Sequence, residues 1–466
     1  MNEGDSDIRV AVGQLAARLM NEADATLASI DACITAAADQ RAQLLVLPEC
    51  AYPAYLLGSV ASYRSASHMD GEAFVAWLAR RAAQTRLHIV SGFVEDTGTA
   101  LHNSVVVLDD TGRELGRVRK RFLWNADTDW FAPGRQLDVI ETVFGPMGVV
   151  ICAEMRVPEI LATLAARGAR FVAMPTCWIN SARDPGFYEN PLADFLVAAR
   201  AREFSLPILC ADKSGIEMPG FGYVGQSRIV TTDGSQLAQA AATGEEVVTA
   251  TIRLTRPPCV VVPPGCRERL LSETPPKRAR DGTLRRLTVG VVPGALLDQR
   301  GEALFETLRR QGVGLVLAPG RDEAEADRLA ASANAVGLYA VTFPDELGVR
   351  SVDGGARIGC VSGQGIGTFA AARVLALDGA EILMCFDIPD DLDLLRTRAV
   401  ENRVFVLGAS ERSAVIIAPD GKVLAHTAPD APTEQVVTID PAQAACKQVA
   451  PRTDIFTERR VSLFRF

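Results

Sequence analysis

The 466-residue chain has only four histidines, at positions 68, 88, 102 and 426, and no two are spaced as a ligand pair. A zinc site or a Cys–His dyad has too few imidazoles to draw on, so neither a metal nor another cofactor is expected. The ten cysteines (33, 50, 152, 177, 210, 259, 266, 360, 385 and 446) form no C-x-x-C pair. Most sit in apolar runs such as 206–211, the pattern of reduced core thiols and not of a disulfide framework. Basic charge is also short, with 48 Lys and Arg against 57 Asp and Glu and a net charge of −9. That balance argues against nucleic acid or an anionic membrane as partner. No apolar run approaches a membrane span, and residues 1–7 are acidic and polar, without the basic start and apolar stretch of a signal peptide. The expectation is a cytoplasmic protein acting on a small molecule.

What is present is ordinary globular material, 48% hydrophobic and 23% charged, in a length that suits two domains. Short Val/Ile/Leu runs at 8–12, 44–47, 87–92, 104–108, 147–151, 171–174 and 206–211 alternate with longer amphipathic stretches, which predicts an α/β fold with buried strands. Residues 255–286 break the rhythm with six prolines, two glycines and the basic cluster Lys277, Arg278 and Arg280. Such a stretch reads as linker, giving domains at 1–258 and 287–466 joined by 259–286.

The second half restarts the first in shortened form. Run 8–13 recurs at 287–292 and run 44–48 at 315–319. The stretch GVVICAEMRVPEILATLAARGARFVAMP from Gly148 parallels GCVSGQGIGTFAAARVLALDGAEILMCF from Gly359. Arg200-Ala201-Arg202-Glu203 parallels Arg398-Ala399-Val400-Glu401, the turn Asp233-Gly234 parallels Asp420-Gly421, and 246–249 parallels 435–438.

Three reactive residues of the first half stand at or near strand ends, where a rigid sheet can fix them. Glu49 follows Leu44-Leu45-Val46-Leu47-Pro48, and Cys152 follows Met147-Gly148-Val149-Val150-Ile151. Lys120 lies in Gly116-Arg117-Val118-Arg119-Lys120-Arg121-Phe122-Leu123, ahead of Phe131-Ala132-Pro133-Gly134. An amide carbon is a poor electrophile, so a thiol needs a base to make it a nucleophile, and the oxyanion that forms needs a positive partner. A carboxylate and an ammonium supply both without a metal.

In this order the motifs resemble the nitrilase superfamily of carbon–nitrogen hydrolases, across nearly all of the first half. The resemblance implies an α-β-β-α sandwich in which Cys152 is the nucleophile, Glu49 the general base and Lys120 the oxyanion stabiliser, with a thioester intermediate. A second acid stands four residues before the turn's aromatic in the family, commonly Glu; here that position is Asp127, with Asp129 a rival. The family's frequent His two places after the lysine is Phe122. True nitrilases usually carry Trp-Glu after the cysteine, whereas Ala153-Glu154 looks more like the amidase branches, so a small-molecule amide is favoured over a nitrile. Asp127, Ala153, Trp178 and Trp124 are the expected substrate-binding residues, and Arg156 with Glu159 an expected structural ion pair. Acyl transfer to an amine, or nitrile hydrolysis, is the alternative chemistry.

Matched to the repeat, Gly363 takes the place of Cys152, since Cys152 to Gly168 and Gly363 to Gly379 both span 16 positions. Gly320 takes the place of Glu49, and the lysine segment falls in the part that is shortened. The expectation is two tandem sandwiches, the second degenerate, forming an intramolecular pseudo-dimer, with homo-oligomerisation left open. The segment 452–460 resembles the terminal segment of family members and is expected to brace the first domain. A competing non-enzyme reading takes Gly363-Gln364-Gly365-Ile366-Gly367 as a nucleotide-binding or scaffold element, but the third glycine of a G-x-G-x-x-G pattern would be Thr368.

Overall fold

The computed structural model describes residues 5–466 apart from 181–189, 257–259, 261, 278–285, 302, 343–346, 353–354 and 428–429. Cys259, Arg278 and Arg280 of the expected linker lie outside the described residues. The chain divides into two compact units. One comprises Met1–Val261, Ala450–Thr453 and Glu458–Phe466; the other comprises Val262–Val449 and Asp454–Thr457.

The strands of the first unit, in chain order, are β1 (Ser6–Ala16), β2 (Leu44–Val46), β3 (His88–Asp96), β4 (Leu101–Leu108), β5 (Glu114–Arg119), β6 (Ile140–Thr142), β7 (Gly145–Val149), β8 (Phe171–Pro175), β9 (Ile179–Asn180), β10 (Ile208–Ala211), β11 (Lys213–Met218), β12 (Phe221–Val224), β13 (Arg228–Val230), β14 (Gln236–Gln239) and β15 (Glu246–Leu254). One sheet runs β5-β4-β3-β2-β1-β11-β12-β9 with β15 added to β1, and the other runs β14-β13-β10-β8-β7-β6. The central strands read as continuous apolar runs because both of their faces are covered. The sheets meet where β1, β2 and β3 approach β8 and β10. The helices Ala23–Asp39 and Gly71–Thr85 bury Ile30, Ile34, Phe74 and Leu78 against Leu45, Ile89 and Val106 on the first sheet. The helices Pro158–Ala166 and Val197–Phe204 lie against β7 and β13 of the second. Helix, sheet, sheet and helix layers result. The helix Gly71–Thr85 starts at Asp70, whose carboxylate accepts the Ala73 N–H at 2.8 Å, and stops where Arg86 turns left-handed (φ 56°).

The second unit contributes β16 (Leu287–Val291), β17 (Leu315–Leu317), β18 (Tyr339–Val341), β19 (Val349–Ser351), β20 (Arg357–Val361), β21 (Ile382–Phe386), β22 (Phe405–Ala409), β23 (Ala414–Ile417), β24 (Val423–His426) and β25 (Gln435–Ile439). Its sheets run β18-β17-β16-β25 and β19-β20-β21-β22-β23-β24. The six-stranded sheet has the same order and the same parallel and antiparallel pairings as β6-β7-β8-β10-β13-β14 of the first unit. Local details repeat too. Gly148 faces Leu164 and Gly359 faces Leu375, each 16 positions on. Arg200 pairs with Glu203 and donates to the Met155 carbonyl, while Arg398 pairs with Glu401 and donates to the Ile366 carbonyl. Part of the expected linker is ordered: Pro264–Leu270 is a helix that buries Cys266 and Leu270. Among the described residues no helix is long and apolar enough to cross a membrane.

Candidate active site

Glu49 leaves β2 through Leu47 and Pro48 and is completely buried. The next residue, Cys50, is left-handed (φ 40°), a conformation that costs free energy in a non-glycine residue and survives only where neighbours fix it. Gly92 of β3 is one such neighbour. A Cβ there would lie 2.4 Å from the Pro48 carbonyl and 2.7 Å from the Glu49 Cα, so only glycine lets this strand reach the loop. Asn103 of β4 donates from Nδ2 to Glu49 Oε1 at 2.7 Å, and Lys120 Nζ donates to the same oxygen at 2.6 Å. Glu49 Oε2 makes no hydrogen bond among the described residues.

Lys120 directly follows β5. Its N–H donates to the Asn103 carbonyl (2.8 Å), and its carbonyl accepts from Gly134 N (2.7 Å). The Pro-Gly turn acts by close approach, since a Cβ on Gly134 would meet the Arg119 carbonyl at 2.2 Å. Lys120 Nζ also pairs with Asp127 Oδ2 at 2.6 Å. Asp127 is held in turn by the Trp124 N–H and by the Tyr55 hydroxyl, each donating at 2.9 Å. Of the two rival acids, the buried Asp127 meets the lysine, and Asp129 is exposed and pairs with Arg452.

Cys152 begins the short 3-10 turn Cys152–Arg156 after β7 and is itself left-handed (φ 48°). The turn is tied down by Glu154, which accepts from Ile151 N (2.9 Å), Arg121 N (2.6 Å) and Arg121 Nε (2.8 Å); Arg121 Nη2 donates to the Val149 carbonyl (2.9 Å). The thiol donates to the Cys177 carbonyl at 3.4 Å. Cys152 is 7% exposed while Glu49 and Lys120 are at 0%, so among the three it is the sulfur residue that opens outward. It opens onto a narrow cleft whose walls include Tyr55, Lys120, Trp124, Ala153, Arg156 and Cys177. Trp124 and Ala153 both line this cleft, with the Arg156 guanidinium 5.0 Å over the Trp124 ring. Trp178, expected in the wall, does not line the cleft. Its indole is fully enclosed with Arg228 stacked 5.1 Å above it, and the Trp178 backbone N–H donates to Asp212 Oδ1 at 2.9 Å. Glu159 pairs with Arg459 at 3.0 Å.

Burial pushes the Glu49 carboxyl above the usual range; Asp127 adds to the rise, and Lys120 and Asn103 oppose it. Burial by itself would strip the proton from Lys120, but Asp127 and Glu49 outweigh it and hold the ammonium charged well beyond its ordinary pKa. The Cys152 thiol is raised by burial and by Glu49, with Lys120 opposing, so it rests protonated. A raised carboxylate beside a fixed cation and a protonated thiol can accept the thiol proton and neutralise a developing oxyanion. Tyr55 and the Arg121–Glu154 pair were not singled out by sequence reasoning, nor was the role of Asn103. Asn103 had a signal in its place on an apolar strand just ahead of the lysine segment; Tyr55, in irregular chain after Glu49, had none.

The family model for carbon–nitrogen hydrolases matches residues 9–256, more than half of the chain, and the chain belongs to that family. A nitrilase of Pyrococcus abyssi is 30% identical over 249 residues, covering 53% of this chain and 90% of that protein. A citrullinase of Francisella tularensis is 26% identical over 258 residues (53% and 89%), and an omega-amidase of Danio rerio is 27% identical over 259 residues (53% and 89%).

Proposed function

We propose that this chain hydrolyses the amide or carbamoyl group of a small molecule through a thioester on Cys152. Glu49 takes the thiol proton as sulfur attacks the carbonyl carbon, and the oxyanion is met by Lys120 Nζ. The tetrahedral adduct collapses, with the leaving ammonia or amine carrying off the proton from Glu49. The same carboxylate then deprotonates a water that attacks the thioester, releasing the acid and returning the thiol. Asp127 keeps Lys120 charged and aimed. The observation that carries this reading is the double contact of buried Lys120 Nζ, 2.6 Å from both Glu49 and Asp127, on the cleft that also exposes Cys152.

An amide is favoured over a nitrile by Ala153-Glu154 after the nucleophile, and the names omega-amidase and citrullinase among the relatives are in keeping with that. Incubation with a panel of primary amides, carbamoyl compounds and nitriles, with mass spectrometry of Cys152, tests the reading. An acyl adduct from amides, turned over much faster than the matching nitriles, supports it; equal turnover of both classes removes the case for an amidase.

The second unit, in our reading, is a degenerate copy of the same sandwich. Its shared strand order and the paired Arg398–Glu401 and Gly359–Leu375 details support this, and glycines at 320 and 363 stand where the base and nucleophile would be.

A further inference from the structure

Residues 450–453 and 458–466 follow the second unit in the chain yet belong to the first. Their contacts fall on the segments that flank the proposed catalytic groups. Arg460 Nε donates to the carbonyl of Arg121, the residue after Lys120, at 2.8 Å. Thr453, fully buried, accepts the Asn125 N–H on Oγ1 at 2.7 Å, and Asn125 is left-handed (φ 41°) two positions before Asp127. Arg452 pairs with Asp129 two positions after it. On the other side Arg459 pairs with Glu159, in the first turn of the helix that follows the cysteine elbow, and Arg465 N donates to Thr163 Oγ1 of that helix at 3.1 Å. Phe464, 2% exposed, shares a pocket with Val157, Ile160 and Phe122.

Asn125 holds a backbone conformation that most residues avoid, and Thr453 supplies the oxygen its N–H bonds. Arg121 already bridges inward to Glu154 of the elbow, and Arg460 fixes it from outside through its carbonyl. One segment thus touches both the loop carrying Lys120 and Asp127 and the helix continuing from Cys152. We propose that residues 450–453 and 458–466 form a positioning strap: Thr453 and Arg460 set the Lys120–Asp127 loop in register with the Cys152 elbow, so that base, ammonium and thiol converge. Thr453 and Arg460 are not among the residues that line the cleft, so they act through the loop. This inference rests on the catalytic roles proposed above and adds what holds them in place.

The test uses the full-length protein with Thr453→Val, which keeps shape and loses the oxygen, Thr453→Ser, which keeps the oxygen, and Arg460→Ala. The rate at which iodoacetamide alkylates Cys152 is followed against pH, with the site located by mass spectrometry, alongside kcat and KM on a turned-over amide and the thermal midpoint. Misplacement of this kind is expected to lower kcat and the alkylation rate roughly 10- to 100-fold in Thr453→Val and Arg460→Ala. KM and thermal midpoint should change little, the alkylation profile should move to the alkaline side, and Thr453→Ser should behave like the wild type. Unchanged alkylation in Thr453→Val and Arg460→Ala overturns the strap, and so does a fall in thermal midpoint that Thr453→Ser fails to prevent. If no amide is turned over but alkylation still falls in the two variants, the strap stands and the amidase reading fails.

Discussion

The two units keep the same six-stranded sheet and differ at the points where the first places its reactive side chains. In the first, strand ends present Glu49 and Cys152 in left-handed or adjoining left-handed backbone, with room for each side chain. At the glycines that the proposed repeat aligns with them, a Cβ on Gly320 would meet Ala326 N at 2.7 Å, and one on Gly363 would meet the Asp387 carbonyl at 2.2 Å. Neighbouring backbone takes the space that a side chain would need at both glycines. On the reading of the second unit as a degenerate copy, scaffold and chemistry are separable: Arg200–Glu203 and Arg398–Glu401 are kept alike where the reactive side chains are not. The contact of Gly363 with Asp387 also disfavours a phosphate-binding turn there, and its helix, Gly363–Ile366, is only four residues long.

The largest effect that would break this contrast lies in the first unit. Cys152→Ala should abolish turnover and acyl trapping, and Lys120→Ala should lower kcat by about 10² to 10³ with the fold retained. Steady-state kinetics with circular dichroism checks both, and wild-type turnover by Cys152→Ala would place the reaction elsewhere in the molecule. A single methyl group separates the units next. Gly92→Ala should press on the Pro48 carbonyl and move Glu49, costing about 1 to 3 kcal/mol of stability and most of kcat. Gly363→Ala should cost a similar roughly 1 to 3 kcal/mol with kcat unchanged. Urea unfolding and kcat on both variants decide whether the second unit is catalytically silent.

Protons sharpen the comparison further. Activity in the proposed mechanism needs ionised Glu49, so kcat/KM should fall as pH drops through its raised pKa, above the ordinary carboxylate range. Asp127→Asn removes one cause of that rise and the leading support of the Lys120 charge. Both the acid and the alkaline limbs should then move to lower pH, with reduced activity, as a kcat/KM profile would show. The smallest effect concerns a lysine of the second unit. Lys447 donates to the Asn402 and Arg403 carbonyls at 2.9 Å, and burial, then Arg403 and Arg373, lower its pKa to about 7. Where Lys120 is stabilised as a cation by two carboxylates, at Lys447 burial and the two arginines outweigh Glu381 and Asp454. Between pH 7 and the ordinary lysine range the unfolded chain binds the extra proton, so stability should rise with pH by about 1 kcal/mol per unit. Lys447→Met should flatten that rise in urea midpoints taken at neutral and mildly alkaline pH.

Much of this was legible in the sequence because the signals are local. Glu49 and Cys152 each follow an apolar strand within a few residues, and Lys120 precedes a Pro-Gly turn whose glycine proves to be required by backbone contact. The α/β class of the first unit followed from the alternation of apolar runs and amphipathic stretches, while its sandwich layering was implied only by the family resemblance. What stayed hidden depends on separations that topology alone closes. Tyr55 and Asp127 are 72 positions apart, and Arg121 and Glu154 33. Asp127 and Asp129 look alike in sequence, since both occupy the one-turn helix Asp127–Trp130, and burial separates them. Trp178 was expected in the wall from the family resemblance alone, but its ring stacks with Arg228.

The membership of residues 450–453 and 458–466 in the first unit also sets an order of events in biosynthesis. A growing chain can build the sheets of the first unit once residue 256 or so has left the ribosome, because domains made first generally fold first. The segment that bonds Asn125, Arg121 and Glu159 is made only after residues 262–449. On the proposed strap, the Lys120–Asp127 loop lacks its outer support during that interval, and the site is completed only when the chain is.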